Sequence, residues 1–279
     1  MGIPIEAERL YGAALLAKDT WDAARPFAPA RRVGAFESHR LELPGQGCRR
    51  VLRVAVSEPD PLREALRSAH ERARRVAHPR VVVALELLED ADGLRASSVD
   101  PSGIELDLGL ERGSALPAVT VAWLGMQVLE ALMHAHALGI AHGRVAPVSV
   151  WVTAEGNVSL DFGLSQAGAE PREDVRAVAA LVRDASSGPL PEPLGRVLES
   201  ALEAPPDAEA LELDLVRVFH RDLGADELED GRDRLASWVA EIRRGPAAAP
   251  APELGPRLMW MAFGYLLTLS FWVGWLALR

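Results

Sequence analysis

The sequence predicts an α+β fold followed by one membrane-spanning helix, and three stretches of its 279 residues carry that reading. Residues 117–138, PAVTVAWLGMQVLEALMHAHAL, place proline in the first turn, repeat apolar residues every three or four positions and stop at Gly139, which predicts a helix. Next, VSVWV is rich in β-branched residues, AEGN is turn chemistry and VSL resumes the strand, which predicts a hairpin ending at Asp161. The third stretch, 258–278, is uncharged and spans roughly 30 Å as a helix, about the thickness of a bilayer core.

Composition bounds the rest. With 49% hydrophobic residues the chain can bury a substantial core, and its net charge of −10, with basic residues scattered among acidic ones, argues against a nucleic-acid partner. A single cysteine, Cys48, cannot form an internal disulfide or a metal cluster, which suits a reducing compartment. Arginine supplies nearly all the positive charge, because Lys18 is the only lysine. The heavy use of Ala, Arg, Gly and Pro reads as a GC-rich bacterial gene.

The two ends differ. Residues 1–27 read as an N-terminal extension that is neither a secretory signal nor a myristoylation site, since Glu6 stands where Ser or Thr is needed. At the other end, Trp260, Trp272 and Trp275 suit the two membrane interfaces. Arg243, Arg244 and Arg257 all precede the span, which places the N-terminal part in the cytoplasm of a single-pass, tail-anchored protein, in a bacterial inner membrane. Residues 245–257 form a Pro/Ala-rich tether. Ser270 and Gly274 have the small-xxx-small spacing of a helix-pairing face, which allows self-association.

The middle of the chain resembles the C-terminal lobe of a bacterial serine/threonine protein kinase. QVLEALMHAHALGIAHG is similar to the helix that leads into the H-R-D-L-K-P-x-N catalytic loop of that family, and Asp161-Phe162-Gly163 to its metal-binding D-F-G. DVRAVAALVRDASSG resembles the family's D-V-Y-x-L-G helix, with Asp174 and Gly188 in register at its ends. Upstream, ARRVGAFESHRLEL and RRVLRVAV occupy the places of the glycine-rich loop and the V-A-I-K strand, and His78-Pro79 matches an H-P. The resemblance implies a two-lobed kinase-like domain, with an N-lobe over 28–115 and a shortened C-lobe with an extra helix over 116–244.

Carried over residue by residue, the chemistry is degraded. His142 keeps the loop histidine, but Gly143 replaces the arginine and Arg144 the base aspartate, and a guanidinium cannot accept a proton. Ala146 replaces the loop lysine and Ser149 the asparagine that holds the second metal, while Pro147 persists. Of the phosphate-cradling glycines only Gly34 remains, and Arg53 best matches the V-A-I-K lysine, so Gly34 and Arg53 mark a vestigial nucleotide site. The lysine's glutamate partner falls at Ala69, with Glu71 on another face.

Asp161 is the one metal-ligand candidate, set against a structural reading in which it pairs with a cation such as Arg144. Phe162, Gly163 and Asp174 are structural positions, Asp174 accepting hydrogen bonds from the 142–144 loop as its counterpart does. From Asp161 to Asp174 is only 13 residues, too few for an activation segment with its A-P-E motif. His134 and His136 point to different faces of their helix and are not paired as metal ligands. The H-R-D-L at 220–223 lacks a following D-F-G and reads as coincidence.

The expectation is therefore a pseudokinase without catalysis, and without ATP or magnesium as cofactor. It binds, scaffolds or regulates a protein partner, a kinase or other signalling protein, at the cytoplasmic membrane face. The alternatives are an atypical serine/threonine kinase and an ATP-binding sensor.

Overall fold

Proline and charge open the first long helix of the fold. The computed structural model describes residues 24–26, 28–33, 35–43, 47–113, 115–223 and 225–244. Helix α1 (Asp60–Arg75) starts after Pro59, with Asp60 in its first turn and Arg72, Arg74 and Arg75 in its last, charges that complement the helix dipole. Leu66, Ala69, His70 and Ala73 form its buried stripe at helical spacing.

That stripe faces a six-stranded antiparallel sheet. Strands β1 (Arg25–Pro26) and β2 (Arg31–Val33) both pair with β3 (Phe36–Leu43), and the order continues through β4 (Gly47–Ala55), β6 (Gly93–Val99) and β5 (Ala84–Asp90). Period-2 alternation gives each strand one inward face, and Phe36, Leu52, Val54, Leu94 and Ala96 join Leu66 in one apolar cluster. Arg50 shares the face of Leu52 and Val54, whereas Arg53 lies on the other.

A second, larger core lies in the helical part. Strand β7 (Gly103–Glu105) leads into α2 (Leu106–Arg112), and β8 (Leu116–Pro117) into α3 (Ala118–Ala137). Helix α3 is buried on nearly all sides, and Gly139, at φ 72°, turns the chain beyond it. Among the described residues α3 is long and apolar enough to cross a membrane, but 72% of its most apolar window is buried, which marks it as a core helix. Strands β9 (Val150–Thr153) and β10 (Val158–Leu160) form the hairpin that the sequence predicts, and β7 adds to it with Glu105 opposite Trp151.

Four more helices complete this part: α4 (Pro171–Ala185), α5 (Glu192–Glu203), α6 (Ala208–Val218) and α7 (Ala225–Arg244). The two-residue strand β11 (Ser186–Ser187) pairs in parallel with β8. The H-R-D-L at 220–223 lies in a π-helical turn, Phe219–Leu223, that closes α6. Seven α-helices and mainly antiparallel sheets make the described part mixed α+β. Residues 1–23 of the extension expected over 1–27, Gly34, the tether and the span expected at 258–278 lie outside the described residues, while Arg25 and Pro26 of that extension form β1.

Helix α7 docks by close approach. A Cβ on Gly109 would lie 2.1 Å from the Trp238 ring, and one on Gly156 would lie 2.0 Å from the Arg232 carbonyl oxygen. A Cβ on Gly231 would lie 2.6 Å from the Trp123 ring, so three glycines admit this helix where any side chain would collide.

Candidate functional site

Asp161 directly follows strand β10, and the next three residues form a 3-10 turn that this aspartate caps. Its Oδ1 accepts the Gly163 N–H at 2.8 Å, its own N–H donates to the Ser149 carbonyl at 2.8 Å, and Phe162 is fully buried. The other oxygen, Oδ2, accepts a hydrogen bond from Arg50 Nη1 in a buried ion pair. The partner cation is thus Arg50 and not Arg144, whose side chain is exposed.

Arg50 is fully buried and held on every side. Its Nε donates to Ser38 Oγ at 3.2 Å, its Nη2 to Glu105 Oε1 at 3.3 Å, and its guanidinium carbon lies 5.3 Å from the Trp151 ring centroid. Glu105 also accepts from Arg31 at 2.6 Å, and Arg31 reaches Asp107 at 2.5 Å. The chain of charges Asp161–Arg50–Glu105–Arg31–Asp107 therefore runs from the hairpin through the sheet to the start of α2. Burial pushes the Glu105 carboxyl up, against the opposing pull of Arg50. Arg40 also lies 5.3 Å from the Trp151 ring centroid and grips Asp100 with bonds of 2.6 and 2.7 Å.

Behind Asp161 the space is small. The cavity bordered by Leu52, His70, Ala73, Asp161 and Gly163 has a volume of about 10 Å³, the size of one water molecule. Across α1, Arg72 donates to Ser165 Oγ at 3.1 Å and to its carbonyl at 2.8 Å, fixing the helix to the segment after Gly163.

The loop before the hairpin is fixed through Asp174. Its carboxylate accepts the His142 N–H at 2.7 Å and the Gly143 N–H at 2.6 Å, and lies 2.9 Å from His136 Nε2. Gly143 has φ 73°, and a Cβ there would come within 2.4 Å of Ala169, so no arginine fits its place. His142 Nδ1 accepts the Arg144 N–H at 3.2 Å, so its proton resides on Nε2, which donates to the Asp161 carbonyl at 2.9 Å. Burial pushes this imidazole's pKa down and keeps it neutral. Ser149 is fully buried, and its hydroxyl accepts the Ala146 N–H at 3.1 Å and donates to the Ala146 carbonyl at 2.8 Å.

The remaining sequence-derived residues are not gathered here. Arg53 is one-third exposed, with Glu37 at 3.6 Å and the Asp92 carbonyl at 3.4 Å. Glu71 is exposed, and Ala69 is buried against the sheet. His134 stacks on His78 at 5.1 Å, away from His136 and its Asp174 contact. Among the described residues no group of three or more His, Cys, Asp or Glu side chains is placed to hold a metal ion.

No motif marks Arg50, Glu105, Arg31 or Trp151. Counting alternate positions outward from Leu52 and Val54 identifies Arg50 as inward-facing, and a guanidinium at such a position needs a buried carboxylate. No protein-family model matches the chain, and no curated protein matches it.

Proposed function

We propose that the chain is a membrane-anchored pseudokinase: a two-lobed, kinase-like domain without phosphotransfer activity that binds, scaffolds or regulates a protein partner at the cytoplasmic face of a membrane. The observation that carries the proposal is the buried contact of Arg50 with Asp161. In the scheme that the resemblance implies, this aspartate holds magnesium and a lysine on the adjoining sheet holds phosphate. Here a guanidinium stands at the carboxylate, fixed by Ser38 and Glu105, and the space behind has room for one water. A guanidinium on this carboxylate speaks against magnesium binding there, which supports the reading without nucleotide turnover.

The loop supports the same reading. Arg144 cannot serve as a base, and the Ser149 hydroxyl is spent on Ala146. What persists is scaffolding: Asp174 on the loop amides, His142 on the Asp161 carbonyl, and the Phe162 ring 4.8 Å from that imidazole.

A phosphotransfer assay on the detergent-purified full chain, with labelled ATP and magnesium, tests the proposal. No incorporation above a mock preparation is expected. Transfer present in the wild type and abolished in Asp161→Ala would overturn it in favour of an atypical kinase.

A further inference from the structure

Helix α1 turns a histidine inward where the kinase resemblance asks for a carboxylate one position earlier. His70 is 4% exposed, and its Nε2 has no hydrogen-bond partner among the described residues. Burying an imidazole nitrogen that way is costly, and buried polar atoms are as a rule satisfied by protein or by ordered water. Nothing in α1 answers this nitrogen, because its inward neighbours Leu66, Ala69 and Ala73 are apolar.

The cavity that His70 borders is small and partly polar. Its volume is about 10 Å³, near the minimum for one water, and Ser97, Ser98 and Asp161 border it alongside Leu52 and Ala96. Asp161 keeps acceptor capacity after its bonds to Gly163 and Arg50, since a carboxylate offers about four lone-pair sites. Ser98 Oγ makes only a 3.4 Å contact with the Arg50 carbonyl. The cavity is thus bordered by a residue with a buried, unpartnered imidazole nitrogen and by residues that carry acceptors, the two partners a water bridge needs.

We propose that this cavity binds one water molecule, bridging His70 Nε2 to the Asp161 side of the cavity. The water ties α1 to the ion pair at Asp161. The neutral histidine suits this task, because burial, with Arg74 adding to it, pushes its pKa down to about 4. The proposal rests on the cavity and on His70, and it stands whether or not the chain is a pseudokinase.

The test is water-selective NMR cross-relaxation on the full chain in detergent, labelled with 15N at histidine, together with the same measurement on His70→Gln and His70→Phe. A long-lived water cross-peak on the His70 ring is expected in the wild type. His70→Gln retains a cavity water, seen at its side-chain amide, and His70→Phe expels it. A wild-type ring with no water cross-peak shows a dry cavity with an orphaned nitrogen and overturns the proposal, and a His70→Phe variant that melts higher than the wild type does the same.

Discussion

Arg50 and Asp161 lie 111 positions apart in the chain and meet in the interior, with side chains only 0% and 3% exposed. A buried ion pair is no free gift of stability, because each ion loses several kcal/mol of hydration, but removing one partner leaves the other charge unanswered. This pair thus holds two parts of the molecule in a single arrangement, with Glu105 and Arg31 extending it towards α2.

Substituting one member tests that arrangement. Arg50→Met is expected to destabilise the chain by about 3–5 kcal/mol, since Asp161 is left charged and buried. Adding Asp161→Asn to Arg50→Met is expected to recover part of the loss. Urea unfolding of the two single variants and the double variant measures the coupling, and strictly additive losses would show that the two residues do not interact.

The docking of α7 yields a prediction about size. Gly156→Val places a branched side chain at φ 75° and onto the Arg232 carbonyl, so a loss of at least about 2 kcal/mol is expected. Gly168→Ala is the control: it has φ 76° with nothing within 4 Å of its Cβ, and only the backbone strain of about 1 kcal/mol applies. Trypsin should cut at Arg232 or Arg234 faster in Gly156→Val than in the control. Equal rates would mean that α7 is not held by this contact.

Acid should weaken the fold above pH 5 through its histidines. Burial lowers the pKa of His142, of His78 and of His70, the last to about 4, against about 6.5 in an unfolded chain. The unfolded state therefore binds more protons below pH 6.5, and stability present above that value is lost as pH falls towards the folded values. Glu105 and Glu212 act oppositely, since their raised pKa values favour the folded state on protonation, and their contribution is complete below about pH 4.5. Three depressed histidines against two raised carboxyls predict a melting temperature that drops from pH 7 to pH 5, with a shallower drop in His70→Gln. A profile flat over that range would contradict the assignment.

The sequence makes some of this legible and hides the rest for definite reasons. Helix α3 and the β9–β10 hairpin follow from local periodicity and turn chemistry, and both form where those signals lie. The cation at Asp161 does not, because a motif match selects Arg53 while strand parity turns residue 50 inward, three positions away and on the opposite face. Arg144, near Asp161 in sequence, is exposed, since the turn at Gly143 carries its side chain out. The β8–β11 pair joins two-residue strands 70 positions apart, at Leu116 and Ser186, and no local pattern announces it. The seat of α7 depends on glycines whose partners lie far along the chain, so the helix is legible and its docking is not.

The measurement that bears most directly on the central claim is the melting temperature of the full chain titrated with ATP and magnesium into the millimolar range. A nucleotide at a hundred times its dissociation constant would add about 2.7 kcal/mol of stability. With Arg50 on Asp161 and a water-sized space behind them, the expected result is a flat curve. A saturable rise that needs magnesium and disappears in Asp161→Asn would contradict the account.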